Sequence, residues 1–478
     1  MPRPRIFLRV FLLVLALTSA GVCPGQALAS HTETTFFEGG SVLLLPASRP
    51  RAITQLRSLG VTALRVELYW NEVAPRARSA TAPNVDLTNP ASYDWGQWTP
   101  LLAEAKRLGW QVLLTVTGPA PRWATSNRKA PYVTRPDDLD FQHFMTAAAR
   151  QFGSEVSLYS IWNEPNHPTD LLPQFNRNGT PASPRIYRGL YEAGYAGLQA
   201  AGIAAPKVLI GETAPTGYDK VGAPSREGLN HDVAPLAFLR GLLCLNAHYQ
   251  RSPSCAMLPA YGYAHHPYTT AAGPFYQPPG ADDVTFGVLS RLSRALVLAA
   301  RAHALPAGLP IYITEFGIES LPNKYIGVPV AQQAEYDAMA ERIAWENPQI
   351  ASFSQYLLKD DPLGGPFTST GFIGFQTGLE YASGAPKPDY YGFRLPLVVS
   401  RRGGGFSLWG LVRPASGATR VTVLVQPKAS SRYRTLKAVS TNSGGYWSLN
   451  SSTQGVTWRV RWRSPSGIRY EGPPIRAY

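Results

Sequence analysis

From Thr35 to about Gly392 the chain repeats one phrase: an amphipathic helix, a glycine, then a short apolar run. The first predicted helix, near Arg51 to Leu59, sets Ile53, Leu56 and Leu59 on one side and ends at Gly60, after which VTALRVELYW reads as a strand. Leu101, Leu102, Ala105 and Leu108 repeat the pattern before Gly109 and WQVLLTVTG. Phe141, Phe144, Met145, Ala148 and Phe152 do so before Gly153 and VSLYSIWNEP, and a fourth helix ends at Gly202 before PKVLIGETAP. Glycine just past a helix is the residue of a left-handed cap, and strands apolar throughout belong to a parallel sheet covered on both faces. Further strands fall at AYGYAHHPY, LPIYITEFG and ASFSQYLLK, and the first over TFFEGGSVLLL, which makes eight. Eight strands alternating with helices predict an α/β fold of the (β/α)8 barrel type, with chemistry at the C-terminal ends of the strands. An open doubly wound sheet competes, but its first turn lacks the glycine fingerprint of a nucleotide site.

Beyond KPDYYGFRLPL the period drops to two. RVTVLVQ and VTWRVRWRS alternate strictly between turn clusters at Arg402 to Gly405 and Asn442 to Gly445, as in a small antiparallel β-sandwich over 393–478. In TWRVRWR, Trp458, Val460 and Trp462 are expected inside and Arg459, Arg461 and Arg463 in water. At the other end, Arg3, Arg5 and Arg9 precede the apolar run Val10 to Leu17 and the small-residue site Ala27-Leu28-Ala29. That is the pattern of a secretory signal peptide over 1–29, and the run is short for a membrane anchor, which needs roughly 20 apolar residues. A secreted, extracellular or wall-associated protein, free of the membrane after cleavage and monomeric, is expected.

Charge divides unevenly. The chain carries +14, of which the leader supplies three arginines, while Phe393 to Tyr478 holds 14 Lys and Arg against Glu471 alone. Removing the leader's +3 and the tail's +13 leaves −2 for Ser30 to Gly392. The tail is therefore expected either to pack on the barrel or to meet an anionic cell-wall glycan. No nucleic-acid-binding fold is recognised. In an exported chain Cys244 and Cys255 are expected to form a local disulfide. No metal-ligand spacing and no phosphate-cradling loop is found, so neither metal nor cofactor is expected.

The candidate chemistry lies at two strand ends. Glu164 follows the strand VSLYSIW, and Pro165 stops the ladder there; Glu315 in IYITEFGIES takes the same place on the seventh strand. Two carboxylates at the rim of one barrel suit glycosidic bond cleavage, one protonating the leaving oxygen and the other attacking or supporting the anomeric carbon. WNEP and ITEFG at these strands resemble the clan of retaining (β/α)8 glycoside hydrolases (clan A) over about Thr35 to Gly392. LRVELYWNEVAP, the segment through GWQVLLTVTGPAPRWA and KPDYYGFRLP look most similar to xylosidase-type family 39, with cellulase-type family 5 next.

The resemblance implies a carbohydrate substrate, Glu315 as nucleophile and Glu164 as acid/base, protonated at rest. It implies that Asn163 binds the sugar 2-hydroxyl, that Arg65 at the end of the second strand keeps the nucleophile ionised, and that His266 and Tyr268 of HHPY lie beside it. Arg65 also has an alternative as a structural partner of Glu67 or Glu72, and Glu212 in IGETAP is a further candidate contact. Trp123 is a candidate sugar platform, with packing as its alternative. The eighth strand offers Gln355 and Tyr356 where family 5 usually has Trp. The alternative function is a secreted carbohydrate-binding or surface protein on an inactive barrel. The long segments Asn163 to Tyr187 and Thr213 to Asn230 suggest an open cleft.

Overall fold

The computed structural model describes residues 33–127, 131–221, 231–363 and 374–478, so the leader and residues 222–230 of the segment after Thr213 lie outside the described residues. Eight parallel strands close into a barrel in chain order. They are β1 (Thr34–Glu38), β2 (Ala63–Tyr69), β3 (Gln111–Thr117), β4 (Leu158–Ile161), β5 (Val208–Thr213), β6 (Gly262–His265), β7 (Ile311–Ile313) and β8 (Ile350–Tyr356). β1 is shorter than its apolar run suggests. Gly40, at φ 57°, breaks it, and Ser41–Leu44 forms one helical turn instead.

Three of the four punctuating glycines are left-handed: Gly60, Gly109 and Gly202 at φ 85°, 69° and 95°. Gly153 departs from that expectation and stays in the right-handed region at φ −59°. Its helix, Asp138–Phe152, begins on Asp137, whose Oδ1 accepts from the Asp140 amide at 3.0 Å. That helix packs tightly on Ser183–Ala200 because Gly197 has no side chain: a Cβ there would lie 2.6 Å from the Gln142 carbonyl oxygen. The disulfide Cys244–Cys255 is formed. Among the described residues no helix is long and apolar enough to cross a membrane.

The final helix of the barrel, Pro388–Arg394, runs slightly past the expected boundary, and Phe393 meets Phe37 of β1 edge-on at 5.5 Å. The C-terminal sandwich then has a three-stranded sheet of β9 (Leu397–Arg402), β10 (Gly405–Leu411) and β13 (Tyr446–Ser451). It faces a four-stranded sheet of β11 (Arg420–Gln426), β12 (Arg434–Ser440), β14 (Thr457–Arg463) and β15 (Arg469–Glu471). Trp458, Val460 and Trp462 fill the core between them, as the alternation requires.

The sandwich docks on the helix Val330–Glu346, where Ala338 and Met339 meet Val398, Trp409 and Leu411. Arg413 crosses this seam. Its guanidinium donates to Phe393 O at 2.8 Å, Thr35 Oγ1 at 2.7 Å and Glu341 Oε1 at 2.6 Å, and lies 3.9 Å over the Phe393 ring. Gly60 makes room for the same turn, since a Cβ there would lie 2.6 Å from the Arg413 carbonyl carbon. Buried Lys387 ties the base of the last helix to the loops after β7 and β8, donating to Ser320 Oγ, Asp360 Oδ1 and Gln376 O at 3.0, 2.6 and 2.9 Å.

Candidate active site

The strand period aims Arg65, Glu67 and Tyr69 of β2 at the same side, the barrel interior. Arg65 stands in the middle of β2 rather than at its end, and it is fully buried. Four carboxylates surround its guanidinium. It bonds Glu38 at the end of β1, Glu212 of β5 at 3.0 and 3.3 Å and Glu315 after β7 at 3.2 Å, while Glu67 lies 3.6 Å away. It also donates to Asn163 Oδ1 at 2.7 Å. The pairing with Glu67 and the contact with Glu315 therefore coexist, and Glu212, which also accepts from Thr115 Oγ1 at 3.0 Å, faces Arg65.

His266 joins the two candidate carboxylates. Its Nδ1 lies 2.9 Å from Glu164 Oε1 and 3.6 Å from Glu315 Oε2, while Nε2 meets Thr314 Oγ1 at 3.1 Å. The Tyr268 hydroxyl donates to Glu315 Oε1 at 2.7 Å. Asn163 donates to Asp170 Oδ1 at 3.2 Å. Glu164, Asn163, Arg65, His266, Tyr268 and Glu315 thus share one cluster. The turn after β4 holds Trp162 and Glu164 at φ 67° and 34°, and in β5 Glu212 stands at 46°, conformations that cost energy in side-chain-bearing residues and that the packing around them must maintain.

Burial raises the carboxyl of Glu164, but the hydrogen bond from His266 and the charges of His266, His167 and Arg65 outweigh it and hold Glu164 below the ordinary range. Burial raises Glu315, assisted by the charge of Glu164, and His266, Arg65 and Tyr268 offset only part of this. Burial by itself would lower His266, yet Glu315 and Glu164 bring it above an ordinary imidazole. These directions run against a resting Glu164 acid beside an ionised Glu315. The contact with His266 favours the ionised form of Glu164, and Arg65 divides its charge among four carboxylates.

Beside the pair, between the ends of β1, β2 and β8, opens a pocket of about 570 Å³ lined by Glu38, Arg65, Glu67, Tyr69, Tyr356 and Lys359, among others. Burial pushes Glu67 up to about 7 and raises Glu38 well above the carboxylate range. Tyr356 thus lines this pocket together with Tyr69. Trp123 does not. It is buried, its indole N–H bonded to Pro75 O at 3.1 Å and its ring edge-on to Trp70, so packing claims it. Trp162 is likewise buried. His265 is a packed imidazole bonded to Thr213 and Val284 O and pushed down to about 4, chiefly by burial.

Glu164, His167 and Asp170 place ligand atoms within 4.8 Å of one another. Burial lowers His167, but Asp170, Glu164 and Asp232 push it up to about 9. The sequence reading passed over His167, Asp170 and Glu38. Glu38 carried a usable signal, an acid closing an apolar strand as Glu164 and Glu315 do.

No family model matches the chain, and no curated protein matches it in sequence. Solved structures do match. A glucosidase from Croceicoccus marinus is 11% identical over 88% of this chain and 93% of its own, with a TM-score of 0.52. A family 39 glycoside hydrolase enzyme from Xanthomonas axonopodis pv. citri is 12% identical over 92% and 94%, at 0.50. A monomeric β-xylosidase from Caulobacter crescentus CB15 is 13% identical over 94% and 95%, also at 0.50. At these identities the likeness is one of fold, and it makes the chain a (β/α)8 barrel similar in architecture to glycoside hydrolases.

Proposed function

We propose that the protein is a secreted, monomeric, retaining glycoside hydrolase that acts on an oligo- or polysaccharide without a cofactor. One observation carries the reading: oxygens of Glu164 and Glu315 both lie within 3.6 Å of a single imidazole nitrogen. That caps their separation near the shortest distance of an inverting pair, about 6.5 Å, and favours the retaining arrangement at roughly 5–5.5 Å. Glu315 attacks the anomeric carbon and forms a glycosyl ester. Glu164 protonates the departing oxygen with the proton that the 2.9 Å contact with His266 lets the pair share. Glu164 then takes a proton from water, which hydrolyses the ester with net retention. Asn163 meets the 2-hydroxyl, Tyr268 steadies Glu315, and the sugar lies toward Tyr69 and Tyr356.

The test is hydrolysis of aryl β-glucosides, β-xylosides and a panel of xylans, β-glucans, mannans and wall glycans by Ser30 to Tyr478, beside Glu315→Gln. Release by the native protein alone, with the anomer retained in the proton spectrum of the first product, is expected. Equal release by the variant removes Glu315 from the mechanism. An inverted first product removes the double displacement. Glycan binding by both proteins without hydrolysis leaves a binding protein on a barrel.

A further inference from the structure

The sandwich turns one sheet face to solvent, and its composition is lopsided. Register puts Arg461 opposite Glu471 and Arg463 opposite Arg469, with Thr422 of β11 on the other side of Arg461. Glu471 accepts from Arg459 at 3.0 Å, from Arg461 at 3.1 Å and from Arg469 at 3.1 Å. Burial tends to raise its carboxyl, but the three guanidinium bonds hold it below the ordinary range. One acid thus serves three arginines, while exposed Arg463 and Arg420 bring further positive charge at the same end of the sheet.

Stability does not account for this pattern. Like charges directly opposite on neighbouring strands are destabilising, and exposed ion pairs contribute little. A face selected only for solubility has no need of a cross-strand Arg463–Arg469 pair. What the arrangement provides is a row of arginines at every second residue of β14, their backbone positions roughly 6.5–7 Å apart. Arginine's planar fork is suited to oxyanions, and Glu471 shows how a carboxylate seats there. At the row's end Arg459 lies 4.9 Å over the Tyr433 ring, which holds that guanidinium in place.

We infer that the outer face of β11, β14 and β15 is a docking surface for a linear anionic polysaccharide, its repeating oxyanions carried as uronate or as phosphate. The choice of a glycan over other polyanions rests on the proposed reading of the barrel; the surface itself does not. It would keep the barrel on a charged wall polymer while the strand-end cluster acts on a neighbouring chain.

The test is affinity, read by co-sedimentation and affinity electrophoresis on full-length mature protein carrying Glu315→Gln, so that hydrolysis plays no part. Probes are polygalacturonate, a phosphodiester-linked wall glycan, neutral xylan, double-stranded DNA and phosphatidylglycerol vesicles. Two double variants, R461E/R463E and R461Q/R463Q, are compared with R294E/R301E, which makes the same charge change as the first on exposed barrel positions. The expected result is salt-sensitive binding to one or both anionic glycans and a loss of roughly tenfold or more in R461E/R463E, with a smaller loss in the Gln pair and little in the barrel control. Which glycan binds identifies the oxyanion. Equal loss in the barrel control would reduce the effect to net charge and overturn the proposal, as would tighter binding of DNA or vesicles, or no glycan binding at all. Glycan binding without hydrolysis by the native barrel would sink the enzymatic reading and leave the surface standing.

Discussion

Replacing Arg413 by Met should cost about 3–5 kcal/mol, the range for removing one partner of a buried ion pair. The side chains of Arg413 and Glu341 are 5% and 3% exposed, so the guanidinium's loss strands a carboxylate that water cannot reach. Burial already raises Glu341, and it raises Glu33 further, with the charge of Glu341 adding to it; Arg413 opposes both shifts. A carboxyl raised in the folded state stabilises the fold less as pH climbs through that raised value. With Arg413 gone the shifts grow, so the deficit should be largest near neutrality and shrink toward about pH 5. Urea unfolding followed by tryptophan fluorescence is the assay, and Trp409 within the seam contributes to its signal. Since the cost is that of an unpaired charge, Arg413→Met with Glu341→Gln should recover most of it. A deficit below about 1 kcal/mol, or one unchanged with pH and unrelieved by the second substitution, would refute the account.

Tyr268→Phe removes the 2.7 Å bond to Glu315 and leaves Arg65 in place, so kcat/KM should fall roughly 10- to 150-fold with the unfolding midpoint unmoved; an unaltered rate would take Tyr268 out of the site. In His266→Gln, Glu164 must hold the catalytic proton without the imidazole that keeps it at higher pH, so the alkaline limb of the rate profile should move to lower pH, and a stationary limb would count against proton sharing. Cys244→Ser with Cys255→Ser opens a loop 11 residues long and should cost about 3 kcal/mol by chain entropy, read as a lowered urea midpoint; no change would mean that the loop is ordered without its bond.

The barrel was readable because its buried strands are apolar throughout and its helices carry one apolar face, both local patterns. The two glutamates were readable for the same reason, since a strand end is a local feature and the barrel makes all such ends converge. Arg65 was a harder case. Its contacts with Glu38, Glu212 and Glu315 join residues far apart in sequence, so no window along the chain shows that one cation serves four acids. The apolar run SVLLL looked like more of β1 because periodicity does not separate a short strand from a helical turn, and Gly40 decided the matter through its backbone angle. Trp123 illustrates the converse: a rim tryptophan reads equally as a platform or as core until its neighbours are known.

Because β1 meets β2 only at Phe37 and Leu64 but runs beside β8 from Thr34–Ser352 to Glu38–Tyr356, the first strand depends on the last for its place. Arg413 adds a clasp on Thr35 across 378 residues. The first strand is thus held by residues from the far end of the barrel and from the sandwich beyond it. The ring of carboxylates around Arg65, which includes Glu38 of that strand, therefore closes only where the barrel itself closes.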